Sequence, residues 1–143
     1  MKALVTGATG FVGPALLSRF MADGTVVSSL VRRHSDALLV GVEQLVGDLC
    51  VLQAGDCRAS LAMTDKNTLA MTLKNTDVVV HTAARAHIMR DEVSDPMAEY
   101  RRVNRDATLA LARLAAQAGV KRFVFVSSVK VNVEMTRPGA GSR

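Results

Sequence analysis

The sequence predicts an α/β fold built on a doubly wound parallel sheet, and three observations support this prediction. The short apolar and β-branched runs lack polar alternation, which is typical of strands buried on both faces. Segments with helical periodicity separate these runs. The first run also leads directly into a glycine-rich turn at residues 7–13. Strands and helices that alternate in this way form a parallel sheet with helices on both of its faces.

The amino-terminal half of the chain is predicted to contain three strands and one helix. The first strand covers residues 2–6, and the helix after the glycine turn ends before Gly24, because glycine is common just beyond helix ends. The second and third strands are predicted at residues 25–31 and 41–46. No element is predicted for residues 50–63, where no periodicity is clear.

The carboxyl-terminal half is predicted to contain two helices and two strands. A helix over residues 69–73 would be capped by Thr64 or Asp65. The fourth strand covers residues 78–80 and ends at His81. This order places a further parallel strand after each helix.

The second of these helices has the clearer start. Asp95 is predicted as its cap and Pro96 lies in its first turn, where the missing N–H costs little. An apolar stripe begins at Met97 and continues through Leu114 to Gly119. The fifth strand, residues 123–126, is predicted to be buried and to deliver Ser128 to a site.

Length and composition indicate one domain. A chain of 143 residues that is 49% hydrophobic and 22% charged suits a single domain with a substantial core. No apolar stretch approaches the roughly 18 residues of a membrane span, and glycines interrupt the first residues too early for a signal peptide. A cytoplasmic location without membrane association is therefore expected.

Metal binding is not expected from the cysteines and histidines. Cys50 and Cys57 are the two cysteines, and without a secretory signal they are expected to stay reduced. None of the three histidines is spaced from them as zinc ligands are.

The net charge of +5 and the isoelectric point near 9.8 raise the question of nucleic-acid binding. The positive residues stand in short separate groups, and the chain has four Phe, one Tyr and no Trp. Nucleic-acid surfaces combine basic tracts with aromatic residues on which bases stack, so no nucleic-acid partner is expected. A small molecule that carries phosphate explains the charge at least as well.

Three glycines stand where the first strand becomes the first helix. Gly7 would permit the tight turn, Gly10 the close approach of a pyrophosphate, and Gly13 the close packing of helix on sheet. The N–H groups of Phe11 and Val12 at the helix start would then bind the anion. Three turn glycines without a ligand remain the alternative.

The segment TGATGFVG, with its G-x-x-G-x-x-G spacing, resembles the extended short-chain dehydrogenase/reductase family. The resemblance continues through HTAARAH at 81–87, DPMAEYRRVN at 95–104 and GVKRFVFVSSVKVN at 119–132. Within the family, AARAH, RRVN and SSVKVN look most like NAD(P)-dependent nucleotide-sugar epimerases and 4-keto-reductases of surface-polysaccharide synthesis. The resemblance implies a Rossmann fold, a nicotinamide cofactor, a nucleotide-sugar substrate, and isomerase or oxidoreductase chemistry.

The resemblance also implies which residues hold the cofactor. Gly7, Gly10, Phe11, Val12 and Gly13 would bind its pyrophosphate. The family often has an acidic residue after the second strand, where this chain has two arginines. A basic residue there can pair with a 2′-phosphate, so NADP is favoured over NAD.

The two arginines are Arg32 and Arg33, and two solvated arginines at a strand end are the alternative reading. Asp48 and Leu49 match the pair that contacts adenine, with Asp56 as a competing candidate.

Further positions match the nicotinamide side of the family's site. Ala83 and Ala84 match small residues that line the inner ribose and nicotinamide. Asn104 matches an asparagine that orients the catalytic lysine through water, and Ser128 matches the catalytic hydroxyl that stabilises the reacting sugar oxygen.

The family's Tyr-x-x-x-Lys motif, its acid and base, does not follow Ser128 in this chain. The expectation is therefore a truncated Rossmann domain over residues 1–132 with a loop or frayed tail over 133–143, lacking the last strand and the substrate domain. An uncovered fifth strand would favour self-association. A noncatalytic NAD(P)-binding regulatory module and an inactive truncated product remain the alternatives.

Overall fold

A five-stranded parallel sheet forms the centre of the computed structural model, which describes residues 1–52, 66–84 and 95–127. The strand order is β3-β2-β1-β4-β5, and every neighbouring pair is parallel. The strands are β1 (Lys2–Thr6), β2 (Val26–Val31), β3 (Glu43–Val46), β4 (Val78–His81) and β5 (Arg122–Phe125). The chain therefore adds β2 and β3 on one side of β1 and then β4 and β5 on its other side, as in doubly wound folds.

Helical segments connect the strands. They are α1 (Gly13–Ala22), a 3-10 helix (Leu49–Leu52), α2 (Lys66–Lys74), α3 (Pro96–Arg101), a π-helical segment (Arg102–Asp106) and α4 (Ala107–Gln117). The α/β prediction is confirmed, and each predicted strand is found within two residues of its expected start. Strong local signals mark two of the helix ends: the Asp95 side chain accepts a hydrogen bond of 3.0 Å from the Ala98 N–H, and Gly24 has a φ of 71° beyond α1.

Side chains on the two faces of the sheet form separate cores. Leu4 and Val79 point to one face, where they pack with Leu73 and Leu111 of α2 and α4. The alternate residues, such as Val5, point to the other face and pack with side chains of α1. Helices that cover both faces explain why the strands read as apolar runs.

The fifth strand differs from the expectation of a buried strand. In this strand Val124 is 38% exposed and Phe125 is 50% exposed, and Val126 directly after the strand is 45% exposed. Among the described strands, β5 pairs on one side only, with β4. In the described ranges no strand lies on the other side of β5, which accounts for the exposure of these side chains. The prediction that the strand is buried is wrong.

The predicted helix from Asp95 to Gly119 also differs in detail. A π-helical segment of five residues interrupts it, and the Ala107 N–H bonds to the Arg102 carbonyl. Met97, expected in the apolar stripe, is 61% exposed. The wider turn shifts the helix phase, so a stripe read at one constant helical period does not stay on one face.

Some predictions fall outside the described residues. These are the caps at Thr64 and Asp65, Cys57, Asp56, Ser128 and the tail over 133–143. Within the described ranges, no helix is long and apolar enough to cross a bilayer, and no group of three His, Cys, Asp or Glu side chains is placed to hold a metal ion.

Candidate functional site

A pocket of about 410 Å³ opens at the carboxyl ends of β1, β2, β3 and β4. It lies at the point where the strand order reverses, which is where open α/β sheets bind ligands. The loops after these strands supply most of its lining, and α3 with the π-helical segment supplies the rest. The lining residues are Gly7, Thr9, Gly10, Leu30, Val31, Arg32, Gly47, Asp48, Leu49, Cys50, Thr82, Ala83, Ala84, Glu99, Arg102 and Val103.

The glycine turn lies in the middle of this pocket, because β1 stands between β2 and β4 in the sheet. The Gly10 N–H donates to the Gly7 carbonyl over 2.9 Å, and Gly7 has a φ of 77°, in the left-handed region that favours glycine. A Cβ at Gly7 would lie 2.6 Å from both the Ala83 nitrogen and the Thr82 Oγ1. Gly7 therefore permits the end of β4 to lie directly against the turn.

Helix α1 begins immediately after this turn. A Cβ at Gly13 would collide with the Ala8 backbone, so glycine permits the helix to start close to β1. The first turn of α1 has no acidic residue, and Pro14 stands in it. The first N–H groups of a helix lack intrahelical acceptors and lie at the positive end of its dipole, so this middle part of the pocket suits an anion.

An acidic side chain lies at the end of the pocket next to β3. Asp48 follows β3, and its Oδ1 accepts a hydrogen bond of 2.8 Å from the Cys50 N–H. Partial burial, with Asp48 as the next contributor, raises the pKa of the Cys50 thiol to about 11. Cys50 is therefore a neutral thiol at pH 7, and the acceptor that this end offers to a ligand is the Asp48 carboxylate.

A fixed arginine lies on the wall opposite the sheet. The Arg102 guanidinium donates through Nε to Glu99 Oε2 over 2.8 Å and through Nη2 to Glu99 Oε1 over 2.6 Å. This two-pronged pair raises the pKa of Arg102 further above its already high value. The guanidinium therefore adds a positive charge to the lining of the pocket, paired with the Glu99 carboxylate.

The ends of β1 and β4 are joined by a buried histidine behind the pocket. His81 is fully buried, with its Nδ1 2.5 Å from Thr6 Oγ1 and its Nε2 2.8 Å from Thr108 Oγ1. Burial lowers its pKa to about 4, so the ring is neutral at pH 7. The Phe125 ring stacks on it at a centroid distance of 5.6 Å.

The structure brings seven of the predicted site residues into one pocket: Gly7, Gly10, Arg32, Asp48, Leu49, Ala83 and Ala84. It does not place the others in the lining. Phe11 and Val12 are exposed, Gly13 packs against Ala8, Arg33 lies outside the pocket, and Asn104 lies in the π-helical segment beside Val103. Ser128 lies outside the described residues.

Sequence reasoning missed several lining residues. The pair of Glu99 and Arg102 carries a detectable signal, since acidic and basic residues three apart lie together on a helix. Thr6 and His81 lie outside the lining, and their pairing also carries a signal, because polar residues at the ends of neighbouring apolar strands meet at one edge of a parallel sheet. Thr9 and Thr82 have no signal apart from their motif neighbours.

Comparison with protein families identifies the chain. The model of the NAD dependent epimerase/dehydratase family matches residues 3–140. A UDP-glucose 4-epimerase of Vibrio cholerae is 43% identical over 137 residues, which cover 95% of this chain and 37% of that protein. A sterol demethylase protein B of Methylococcus capsulatus is 35% identical over 134 residues, which cover 90% of this chain and 34% of that protein.

Solved structures show the same architecture. The protein MoeE5, solved in complex with UDP-glucose and NAD, matches with a TM-score of 0.68 and 32% identity, over 92% of this chain and 38% of that one. A short-chain dehydrogenase/reductase superfamily protein of Agrobacterium tumefaciens with bound NAD matches with a TM-score of 0.67 and 28% identity, over 92% of this chain and 34% of that one. The chain thus spans little more than a third of these relatives' length. It belongs to the NAD dependent epimerase/dehydratase family of the extended short-chain dehydrogenases/reductases.

Proposed function

We propose that the pocket that extends from Asp48 across the glycine turn to Ala84 binds a nicotinamide dinucleotide. The successive parts of the pocket are chemically different, and this difference carries the proposal. Helix N–H groups beyond Gly10 suit the pyrophosphate, whereas the Asp48 carboxylate suits the exocyclic amine of adenine. Ala83 and Ala84, at the end of β4, leave room for the inner ribose and nicotinamide. The pocket volume of about 410 Å³ falls within the usual range of ligand sites.

The proposed reaction moves hydride between nicotinamide and a sugar carbon of a nucleotide sugar, as in an epimerase or 4-keto-reductase. Support comes from the relatives: one is a UDP-glucose 4-epimerase, and MoeE5 was solved with UDP-glucose and NAD. Bound nicotinamide would supply the hydride acceptor and donor. In this proposal the Ser128 hydroxyl stabilises the reacting sugar oxygen, and Asn104 orients neighbouring groups through water. Synthesis of surface polysaccharides is the proposed setting.

The choice between NAD and NADP depends on Arg32. Both neighbouring structures hold NAD, but this chain presents Arg32 at the end of β2, where an adenosine ribose would lie. Arg33 stands next in sequence and lies outside the pocket. A guanidinium at this edge would pair with a 2′-phosphate, so we propose that NADP binds more tightly than NAD and that Arg32 alone is responsible.

Calorimetric titration of the chain with NADP and NAD tests both proposals. Gly10→Ala adds a methyl group 3.2 Å from the Gly7 carbonyl, where the pyrophosphate would approach, and is expected to weaken both ligands at least tenfold. Gly24→Ala, at the opposite end of α1, is the control: it adds strain at a φ of 71° but is expected to leave affinity unchanged. Dinucleotide binding that is absent, or unaffected by Gly10→Ala, would refute the proposed site.

The two arginines offer a matched pair for the cofactor preference. Arg32→Ala is expected to weaken NADP binding roughly tenfold and leave NAD binding within twofold, because a charge-assisted contact is worth about 1.5–3 kcal/mol. Arg33→Ala is expected to change neither affinity. Equal effects of the two variants would show that general positive charge, and not a specific contact, attracts the 2′-phosphate.

Hydride transfer is tested separately from binding. The Tyr-x-x-x-Lys motif does not follow Ser128, so this chain is expected to bind the dinucleotide without reducing it when UDP-glucose is added. Tyr100 is the only tyrosine of the chain and precedes Ser128. Appearance of the near-ultraviolet absorbance of reduced nicotinamide would contradict this expectation and would exclude the noncatalytic NAD(P)-binding module.

A further inference from the structure

The hydrogen bonds around His81 have a defined direction. Thr108 Oγ1 donates its single proton to the Asn104 carbonyl over 3.1 Å, so it can only accept from the imidazole. The His81 Nε2, 2.8 Å away, must therefore carry the ring proton. The opposite nitrogen, Nδ1, is then an acceptor for the Thr6 hydroxyl. This assigns the Nε2–H tautomer of a neutral ring.

The chain of hydrogen bonds continues on the other side of the ring. Thr6 Oγ1 donates to His81 and is 3.4 Å from the N–H of Ala83, which donates to it. The Thr6 carbonyl accepts from the Thr82 hydroxyl over 2.7 Å and from the Thr82 N–H over 3.1 Å. Directed bonds thus run from the backbone of Ala83 through the imidazole to the backbone of Asn104.

His81 consequently connects the segments that surround the nicotinamide half of the proposed site. Thr6 immediately precedes the glycine turn, and Ala83 follows β4 into the pocket. Asn104 lies in the π-helical segment, one residue from Val103 of the lining. Phe125, which stacks on the ring, precedes the serines after β5.

We propose that His81 is a positioning residue for the nicotinamide half of the cofactor. It stands as the Nε2–H tautomer between Thr6 and Thr108. In this position it sets the distance between Ala83 and the turn that contains Asn104. The inference rests on the proposed dinucleotide site and adds a residue that touches neither cofactor nor substrate. A single imidazole can accept from one hydroxyl and donate to another at a fixed separation. A residue that only filled space would not orient both neighbours.

The test changes the end of the network that lies outside the pocket. Thr108→Val removes the hydroxyl with little change in shape, and Thr108→Ser retains it as the matched control. Each full chain is titrated with NADP and with 2′,5′-ADP, which keeps adenosine and its 2′-phosphate but lacks nicotinamide. NAD and ADP form a second pair that does not depend on Arg32. Thermal melting confirms that each variant is folded at the titration temperature.

Thr108→Val is expected to weaken the dinucleotides about tenfold, because displacement of a positioned group is costly, while the mononucleotides stay within twofold. Thr108→Ser should keep wild-type affinity for all four ligands. An equal loss for dinucleotides and mononucleotides, or no loss at all, would overturn the role of His81 and leave the pocket assignment standing. Failure of the wild-type chain to bind any of the four ligands would overturn the pocket assignment itself.

A second measurement does not depend on the variants. Nitrogen-15 NMR of the imidazole distinguishes the two neutral tautomers and the imidazolium. At pH 7 the buried ring should be the Nε2–H tautomer in the wild-type chain. Observation of the Nδ1–H tautomer would reverse the deduced directions of the hydrogen bonds and would overturn the inference even if Thr108→Val failed to fold.

Discussion

Acidification should destabilise this protein through His81. The ring is fully buried, and burial lowers its pKa to about 4 from the ordinary 6.5. The unfolded chain therefore takes up a proton between pH 6.5 and 4 that the folded chain does not. The contribution of the neutral His81 ring to the free energy of unfolding is fully present above pH 6.5 and falls as pH decreases toward 4. Linkage gives a loss of about 2 kcal/mol between pH 7 and pH 5 and about 3 kcal/mol by pH 4.

The size of this loss reflects neutral surroundings. The groups that contact the ring in the described structure are the hydroxyls of Thr6 and Thr108 and the rings of Phe123 and Phe125. None of these carries a charge that would stabilise an imidazolium. Protonation would also place a hydrogen on Nδ1, which faces the proton of the Thr6 hydroxyl. The hydrogen bonds would therefore have to rearrange in addition to the burial of a charge.

Urea unfolding at pH 7, 6 and 5 measures the effect. His81→Gln cannot titrate in this range and should show a much smaller dependence on pH, whatever its absolute stability. His34→Gln is the matched control, because the His34 side chain is 68% exposed and its replacement should keep the wild-type loss. Asp77, whose pKa is lowered by its hydrogen bond to Lys121, titrates below this pH window. Equal pH dependence of wild type and His81→Gln would refute the reasoning.

Three further predictions concern stability and association. Ser29→Ala should raise the free energy of unfolding by about 1 kcal/mol in urea, because the buried Ser29 hydroxyl has no partner in the described structure; a decrease would contradict this. Gly7→Ala should lower it by more than about 2 kcal/mol, since its methyl group would meet the backbone of Ala83, and a stability like that of wild type would show that the turn relaxes. The chain should self-associate through β5, and Val124→Lys should reduce this in light scattering; a monodisperse wild-type monomer would exclude it.

The sequence predicted the fold and much of the site because both depend on local signals. Uninterrupted apolar runs indicate buried parallel strands, and the carboxyl ends of parallel strands lie at one edge of the sheet. Residues just after different strands, such as Gly7, Arg32, Asp48 and Ala83, were therefore expected to come together, and the structure places all four in one pocket. Their roles toward a cofactor remain predictions.

Other features depend on contacts between distant parts of the chain. Arg102 lines the pocket because α3 and the π-helical segment lie across the strand ends, and a constant helical period does not reveal that placement. The exposure of Val124 and Phe125 depends on what lies beside β5, which the composition of the strand does not encode. The partners of His81 are 75 and 27 residues away in sequence, so no local pattern connects them.

Three polar side chains in the strands are completely buried, and their positions separate two physical roles. Ser29 lies within β2, next to Val5 of β1, and its hydroxyl has no hydrogen-bond partner among the described residues. Thr6 and His81 lie opposite each other at the ends of β1 and β4, where each is hydrogen-bonded. Burial costs all three side chains their hydration, but only the paired ones recover hydrogen bonds, and these bonds extend to backbone around the pocket. Replacement of Ser29 should therefore alter stability without altering cofactor affinity, whereas disruption of the pair should alter both.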